Sequence, residues 1–284
     1  MKRMIFWLSA LLLLVACEKP SWDGEDEGDE AIAGNLTVSI YQIGKTPFDE
    51  VTRSQSTTPT HINYAVYSVD GQRVKQINQQ AGDANYGKAS FQLEPGTYQL
   101  VVVAHSSNGN PTMTDLTKIQ FKNNQGFSDT FLTYIEDVEV TAENHTLLVT
   151  PQRIVSLCRV EITDDVPETV SQLRFQYKGG SGAFDAHTGL GSVNSIQTLD
   201  FDVTGDQKQF DLYTYLHDTE GTIHLTVTAF DASGVELINR EFDIPMEREK
   251  ITWFTGPFFG GASGGLSIGI TLDTDWKGET HITF

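Results

Sequence analysis

The sequence predicts an all-β chain of two tandem β-sandwich domains, and three observations carry that expectation. Apolar residues recur with a period of two through most of the 284 residues, as in Leu36, Val38 and Ile40 against Asn35, Thr37 and Ser39. Turn pairs such as Asp70-Gly71 and Pro95-Gly96 punctuate the runs. No convincing amphipathic helix is visible past the N-terminus, where residues 114–121 have room for a turn or two. With 39% hydrophobic and 10% aromatic residues the chain can fill cores, and its length suits about two domains.

The N-terminus is an address. Lys2 and Arg3 precede thirteen residues, 4–16, with Ser9 as the one polar interruption. A spanning helix needs roughly 20 apolar residues, so this run reads as a secretory signal. Leu14-Val15-Ala16-Cys17 resembles a bacterial lipobox, with cleavage between Ala16 and Cys17. The cysteine thiol takes a diacylglyceryl thioether, and the new amino terminus is acylated, typically with palmitate. Each buried CH₂ contributes ~0.8 kcal/mol, so several chains make a firm membrane anchor on Cys17. Residues 18–30 carry seven acidic side chains and one lysine, a self-repelling tether. They are not a calcium loop, since glutamates stand at the inner positions of Asp23-Gly-Glu-Asp-Glu-Gly28 and Gly34 at position twelve. The organisation read from the sequence is therefore signal 1–16, lipidated tether 17–34, first sandwich 35–150 and second sandwich 151–284.

The strands follow in order. Residues 61–69 lead through Asp70-Gly71 into 72–77 as a hairpin. Pro95-Gly96 reads as a turn in which glycine takes the positive dihedral. Residues 97–104 are nearly apolar on both faces, the mark of a central strand. Pro151 ends a run at 146–150 and separates the halves. In the second half, runs at 173–177, 210–216, 222–230, 235–244, 251–254 and 266–272 alternate or are apolar. Ile154, Ser156, Cys158, Val160 and Ile162 share a face if 153–162 is one strand, which sends Cys158 into a core as a small hydrophobe.

Composition and spacing argue against several chemistries. Nineteen basic against 38 acidic residues, net −19, oppose binding to nucleic acid or to an anionic lipid surface. Without the signal the mature chain keeps 17 basic residues and carries −21, of which −6 lies in the tether. The acidity thus marks a solvated tether and surface. Gly261-Ala-Ser263-Gly-Gly265 matches G-x-S-x-G but lacks the strand–turn–helix setting of a nucleophile elbow. Gly179-Gly-Ser-Gly182 lacks the Lys-Ser/Thr of a phosphate loop. The histidines (His61, His105, His145, His187, His217, His224 and His281) show no metal-ligand spacing. Asp200 and Asp202 share a strand face and read as solvated carboxylates. No catalytic residue, metal or cofactor is expected, and the chain reads as a non-enzyme.

The lipobox 14–17, the Pro-Gly-x-Tyr strand from Pro95, the Arg-led strand 153–162 and the ending 266–284 with Asp273-Thr-Asp-Trp276 together resemble the Bacteroidales fimbrillin family. The likeness spans about 35–284 and runs nearest to FimB-like anchor subunits of type V pili. It implies transthyretin-like sandwiches and joining to other fimbrial subunits by strand donation. It also implies cleavage after an arginine in stalk subunits, for which Arg53 is the candidate here, whereas anchors keep the strand and the lipid. Leu266, Ile268, Ile270 and Leu272 share one face and make a candidate donor strand. The expected role is a fimbrial subunit lipoprotein, lipid-anchored at the outer membrane and displayed at the cell surface, supporting adhesion. The alternative is a surface glycan-binding lipoprotein using an aromatic platform drawn from Trp253, Phe258, Phe259 and Trp276.

Overall fold

The computed structural model describes residues 34–43, 58–122, 127–203, 207–260, 267–269 and 279–283. The signal, the tether up to residue 33, Ala16, Cys17, Arg53, Ser263, Leu266, Ile270, Leu272 and Trp276 lie outside the described residues. Among the described residues every regular element is a strand. In chain order they are β1 (Leu36–Ile40), β2 (His61–Ser68), β3 (Arg73–Gln80), β4 (Lys88–Phe91), β5 (Gly96–His105), β6 (Ile119–Gln120) and β7 (Thr130–Val140). Next come β8 (His145–Val149), β9 (Gln152–Arg153), β10 (Ser156–Ile162), β11 (Gln172–Lys178), β12 (Ala183–Phe184) and β13 (Gln197–Asp202). The chain closes with β14 (Gln209–Thr214), β15 (Glu220–Phe230), β16 (Glu236–Glu247), β17 (Ile251–Gly256), β18 (Ser267–Gly269) and β19 (Glu279–Thr283).

The strands form two sandwiches. In the first, the sheet β4-β1-β8 packs on β3-β2-β5-β7-β9 around Leu36, Val38, Tyr64, Phe91, Leu100 and Val102. In the second, β14-β10-β17-β19-β18 packs on β13-β11-β15-β16 around Cys158, Phe175, Leu212, Leu225, Ile244 and Phe254. Each such apolar side chain, fully buried, contributes about 1.5–3 kcal/mol.

A third apolar cluster joins the two. Ala65, Tyr67, Val101 and Val103 leave the back of β2 and β5, and Leu157 and Ile251 leave the back of β10 and β17. Between them lie Ile119 and Phe184 of the small ribbon β6–β12, with Phe121, Phe127 and Tyr215. Polar bonds seal this layer: Tyr67 Oη donates to the Met113 carbonyl at 2.6 Å, and Arg153 grips Asp129 through Nε and Nη2 at 2.7 and 2.6 Å. The described residues accordingly cluster as one compact unit.

Several expectations are met and others corrected. The β2–β3 hairpin turns at Asp70-Gly71, with Gly71 at φ 80° and its N–H on the Ser68 carbonyl at 2.9 Å. Strand 97–104 is central, and the reason it is apolar on both faces is that each face lines a different core. Gly96 does not take the left-handed conformation; it opens β5 as an extended residue opposite Val140. Residues 114–121 give one tight turn, Lys118 N to Asp115 O at 3.1 Å, and then β6. Cys158, Val160 and Ile162 do line one core, but Ile154 precedes β10 and belongs to the joining cluster. Burial, reinforced by the Asp211 carboxylate, pushes the Cys158 thiol well above its usual range, so it packs as a hydrophobe.

Candidate functional site: the first strand and the closing edge

The residues that could join this chain to another are strands. β1 lies in the middle of its sheet, antiparallel to β4 on one side and parallel to β8 on the other. Leu36 and Val38 alternate inward and are fully buried, whereas Thr37 and Ser39 lie on the opposite face, where Thr37 is also buried and Ser39 half-buried. Thr37 Oγ1 lies 3.4 Å from Ser90 Oγ across the β1–β4 pair.

Both ends of β1 are fastened. Asn35, itself buried, donates its amide to the Leu93 and Thr141 carbonyls at 2.9 and 2.7 Å, and its Oδ1 accepts the Leu93 N–H at 2.9 Å. One side chain thereby ties β1 to the turn before β5 and to the turn after β7. Gly34 is needed at the entry because a Cβ there would meet the Phe91 carbonyl oxygen at 2.6 Å. At the other end, Ile40 N–H donates to Gly87 O at 2.8 Å and Tyr41 N–H to Val149 O at 2.9 Å. Beyond residue 43 the chain passes through 44–57, which carries Arg53 and lies outside the described residues.

The closing segment builds the other edge. β19 runs parallel to β17, with Ile282 buried, and β18 pairs antiparallel with β19 through Ser267–Thr283, Ile268–Ile282 and Gly269–His281. The described part of the candidate donor strand thus stands at the edge of the chain's own sheet.

The remaining singled-out residues are held in structural contacts. Asp200 receives Arg174 in a two-point pair at 2.7 and 2.9 Å, so it and Asp202 form no carboxylate dyad. His224 is exposed and bonds Asp243. Among the described residues no group of three or more His, Cys, Asp or Glu side chains converges on a point where a metal could sit. Of the rings that the alternative glycan-binding reading would need on a platform, Phe258 is buried in the second core, Phe259 packs against it, and Trp253 lies beneath the Arg159 guanidinium, 5.0 Å from its ring centre. Apolar rings in a sandwich gain more from the interior than from water. Two surface hollows, of 360 and 580 Å³, are lined chiefly by polar groups such as Lys178, His224 and Asp243 in one and Asp70, Gln99 and Asp115 in the other.

Sequence reasoning missed Asn35 and the His105 network. His105 is fully buried; its Nδ1 accepts the Ser107 N–H at 3.1 Å and its Nε2 donates to Asn63 Oδ1 at 2.8 Å. Burial, and secondarily the stacked His61 ring, lowers its pKa to about 3. No motif marks either residue, because their partners lie far along the chain: Asn35 binds backbone groups 58 and 106 residues away, and His105 binds the Asn63 side chain 42 residues away.

Solved structures similar to this chain include a candidate adhesin from Bacteroides ovatus, at 16% identity and TM-score 0.47, covering 81% of this chain and 88% of that one. A fimbrial assembly protein from Parabacteroides distasonis matches at 16% identity and TM-score 0.41, covering 78% and 90%. The fimbrial anchor protein Mfa2 from Porphyromonas gingivalis matches at 13% identity and TM-score 0.38, covering 72% and 80%. A comparison with curated proteins finds no match. A family profile matches residues 28–284, and the chain belongs to that family, described as a family of unknown function, DUF6562.

Proposed function

We propose that the chain is a fimbrial subunit lipoprotein that anchors a pilus at the outer membrane and supports adhesion. The observation that carries this reading is the position of β1: a central strand, hydrogen-bonded on both sides, whose path to β2 runs through the segment bearing Arg53. Were the chain cut there, β1 would be held to its sandwich by non-covalent contacts alone. Its departure would open a slot between β4 and β8, over Tyr64, Leu100 and Val102, that an extended strand of another subunit fits. An uncut chain keeps that slot filled and accepts no donor, which is the property of a terminal subunit. Cys17 supplies the lipid, residues 18–30 the spacer, and Leu266, Ile268, Ile270 and Leu272 a donor to the neighbouring subunit. The chain passes from the first sandwich to the second near Thr150-Pro151, with the two-residue β9 just beyond still paired to β7 of the first sheet.

The test is removal of the protein from the producing cell, with fimbriae imaged on cells and assayed in the medium. Intact fimbriae shed into the medium are expected of an anchor. Absent fimbriae would indicate a stalk role instead, and fimbriae unchanged on the cell would sink the fimbrial reading altogether.

A further inference from the structure

Natural proteins protect the strands that end a sheet, because their unpaired N–H and C=O groups recruit other strands. Most edges here are protected. β3 carries Arg73 and Lys75, β13 Asp200 and Asp202, and β16 has Pro245 among its charges. β4, β9 and β14 each carry one charged residue. Leaving aside the two-residue ribbon β6–β12, two described edges carry no charge: the three-residue β18 and the five-residue β8, His-Thr-Leu-Leu-Val. β8 is also flanked by the most exposed large apolar side chains among the described residues, Tyr41 at 73% and Leu148 at 68%. Both lie on the outer face, Leu148 opposite Ser39 and Tyr41 two residues further along the same side.

The backbone of β8 specifies what can pair with it. His145 donates its N–H to Asn35 and Val149 accepts from Tyr41, so residues 145, 147 and 149 turn their main-chain groups toward β1. Alternation leaves the N–H and C=O of Thr146 and Leu148 facing the open side. Place a second β8 antiparallel to the first, with the two-fold axis at Leu147. Thr146 then stands opposite Leu148 of the other copy and exchanges both hydrogen bonds with it; the symmetric pair does the same. All the free groups of both edges are satisfied, and the two Leu147 side chains meet between them. An uncharged strand can pair with itself in this way, whereas the acidic remainder of the surface disfavours other self-contacts. We infer that β8 is the seam of a two-fold symmetric dimer of this chain, in which two three-stranded sheets continue as one. This surface is distinct from the β1 slot and does not depend on strand donation.

The experiment is sedimentation velocity of the full chain in detergent over a range of concentrations, with Thr146→Lys and Leu148→Lys alongside. The wild-type chain should show a concentration-dependent dimer. Each lysine should raise the dimer dissociation constant by about tenfold or more while the thermal midpoint, read at concentrations where the wild-type chain is monomeric, stays unchanged, since both positions are exposed. Leu147→Cys should give an oxidised dimer linked through that residue, because a non-hydrogen-bonded pair brings Cβ atoms to about 4.5–5.5 Å. A wild-type chain that stays monomeric throughout, or a dimer that survives both lysines, overturns the inference.

Discussion

Arg159 and Asp211 stand opposite each other on β10 and β14 and share a two-point ion pair, Nε–Oδ1 2.7 Å and Nη2–Oδ2 2.8 Å. The arginine is 2% exposed and the aspartate 29%, so the two partners do not cost the same to orphan. Asp211→Asn takes from the buried guanidinium the carboxylate it grips at two points and should destabilise by about 3–5 kcal/mol. Arg159→Met leaves a carboxylate that water can reach, and should cost clearly less. Denaturant midpoints of the two variants measure this, and equal or reversed losses would count against it.

Acid should weaken the fold through His105. Its folded pKa of about 3 lies below the ordinary histidine value of 6.5, so between those values the unfolded chain binds the extra proton. The contribution is fully present above pH 6.5 and is lost progressively as pH falls toward 3. Urea midpoints at pH 7 and pH 4.5 should therefore differ less in His105→Gln than in the wild-type chain, even if the variant is weaker at both.

Asn35→Ala should remove three hydrogen bonds at once and leave the Leu93 and Thr141 backbone groups unsatisfied beside β1. An orphaned buried polar group costs about 1–3 kcal/mol. Hydrogen exchange across residues 36–40 should rise more than exchange in β15, which is remote from the change. Equal acceleration in both would mean that Asn35 is not a local fastener.

Leu36→Ala should leave a cavity in the first core and lower stability by about 2–5 kcal/mol. The loss should appear in the thermal midpoint. If β1 contributed little to the sandwich, the substitution would be almost silent.

Much of this fold was legible in the sequence. Period-two runs located β11 and β15, because strands with one wet face must alternate, and β5 stood out as an unbroken apolar run because both its faces line cores. β7 escaped notice: Phe131 and Leu132 are both buried, and the ladder to β5 shifts register between Tyr98 and Leu100, so its pattern loses the regular beat. β1 was legible as a strand, but its place between β4 and a parallel β8 depends on partners about 50 and 110 residues away, which no local pattern encodes. The joining cluster was missed for a related reason. Ile154, Phe184 and Tyr215 look like ordinary core residues, and nothing in the sequence says that their core is shared by both halves.

That shared core has a mechanical consequence. Val101 and Val103 on one side of β5, and Leu100 and Val102 on the other, make a single sheet the wall of two interiors. A tug on either sandwich is carried through a dry, interlocked layer with no slack linker to pay out first. Stretched end to end, the described body should behave as one stiff link, with its first yield confined to strands at its margins.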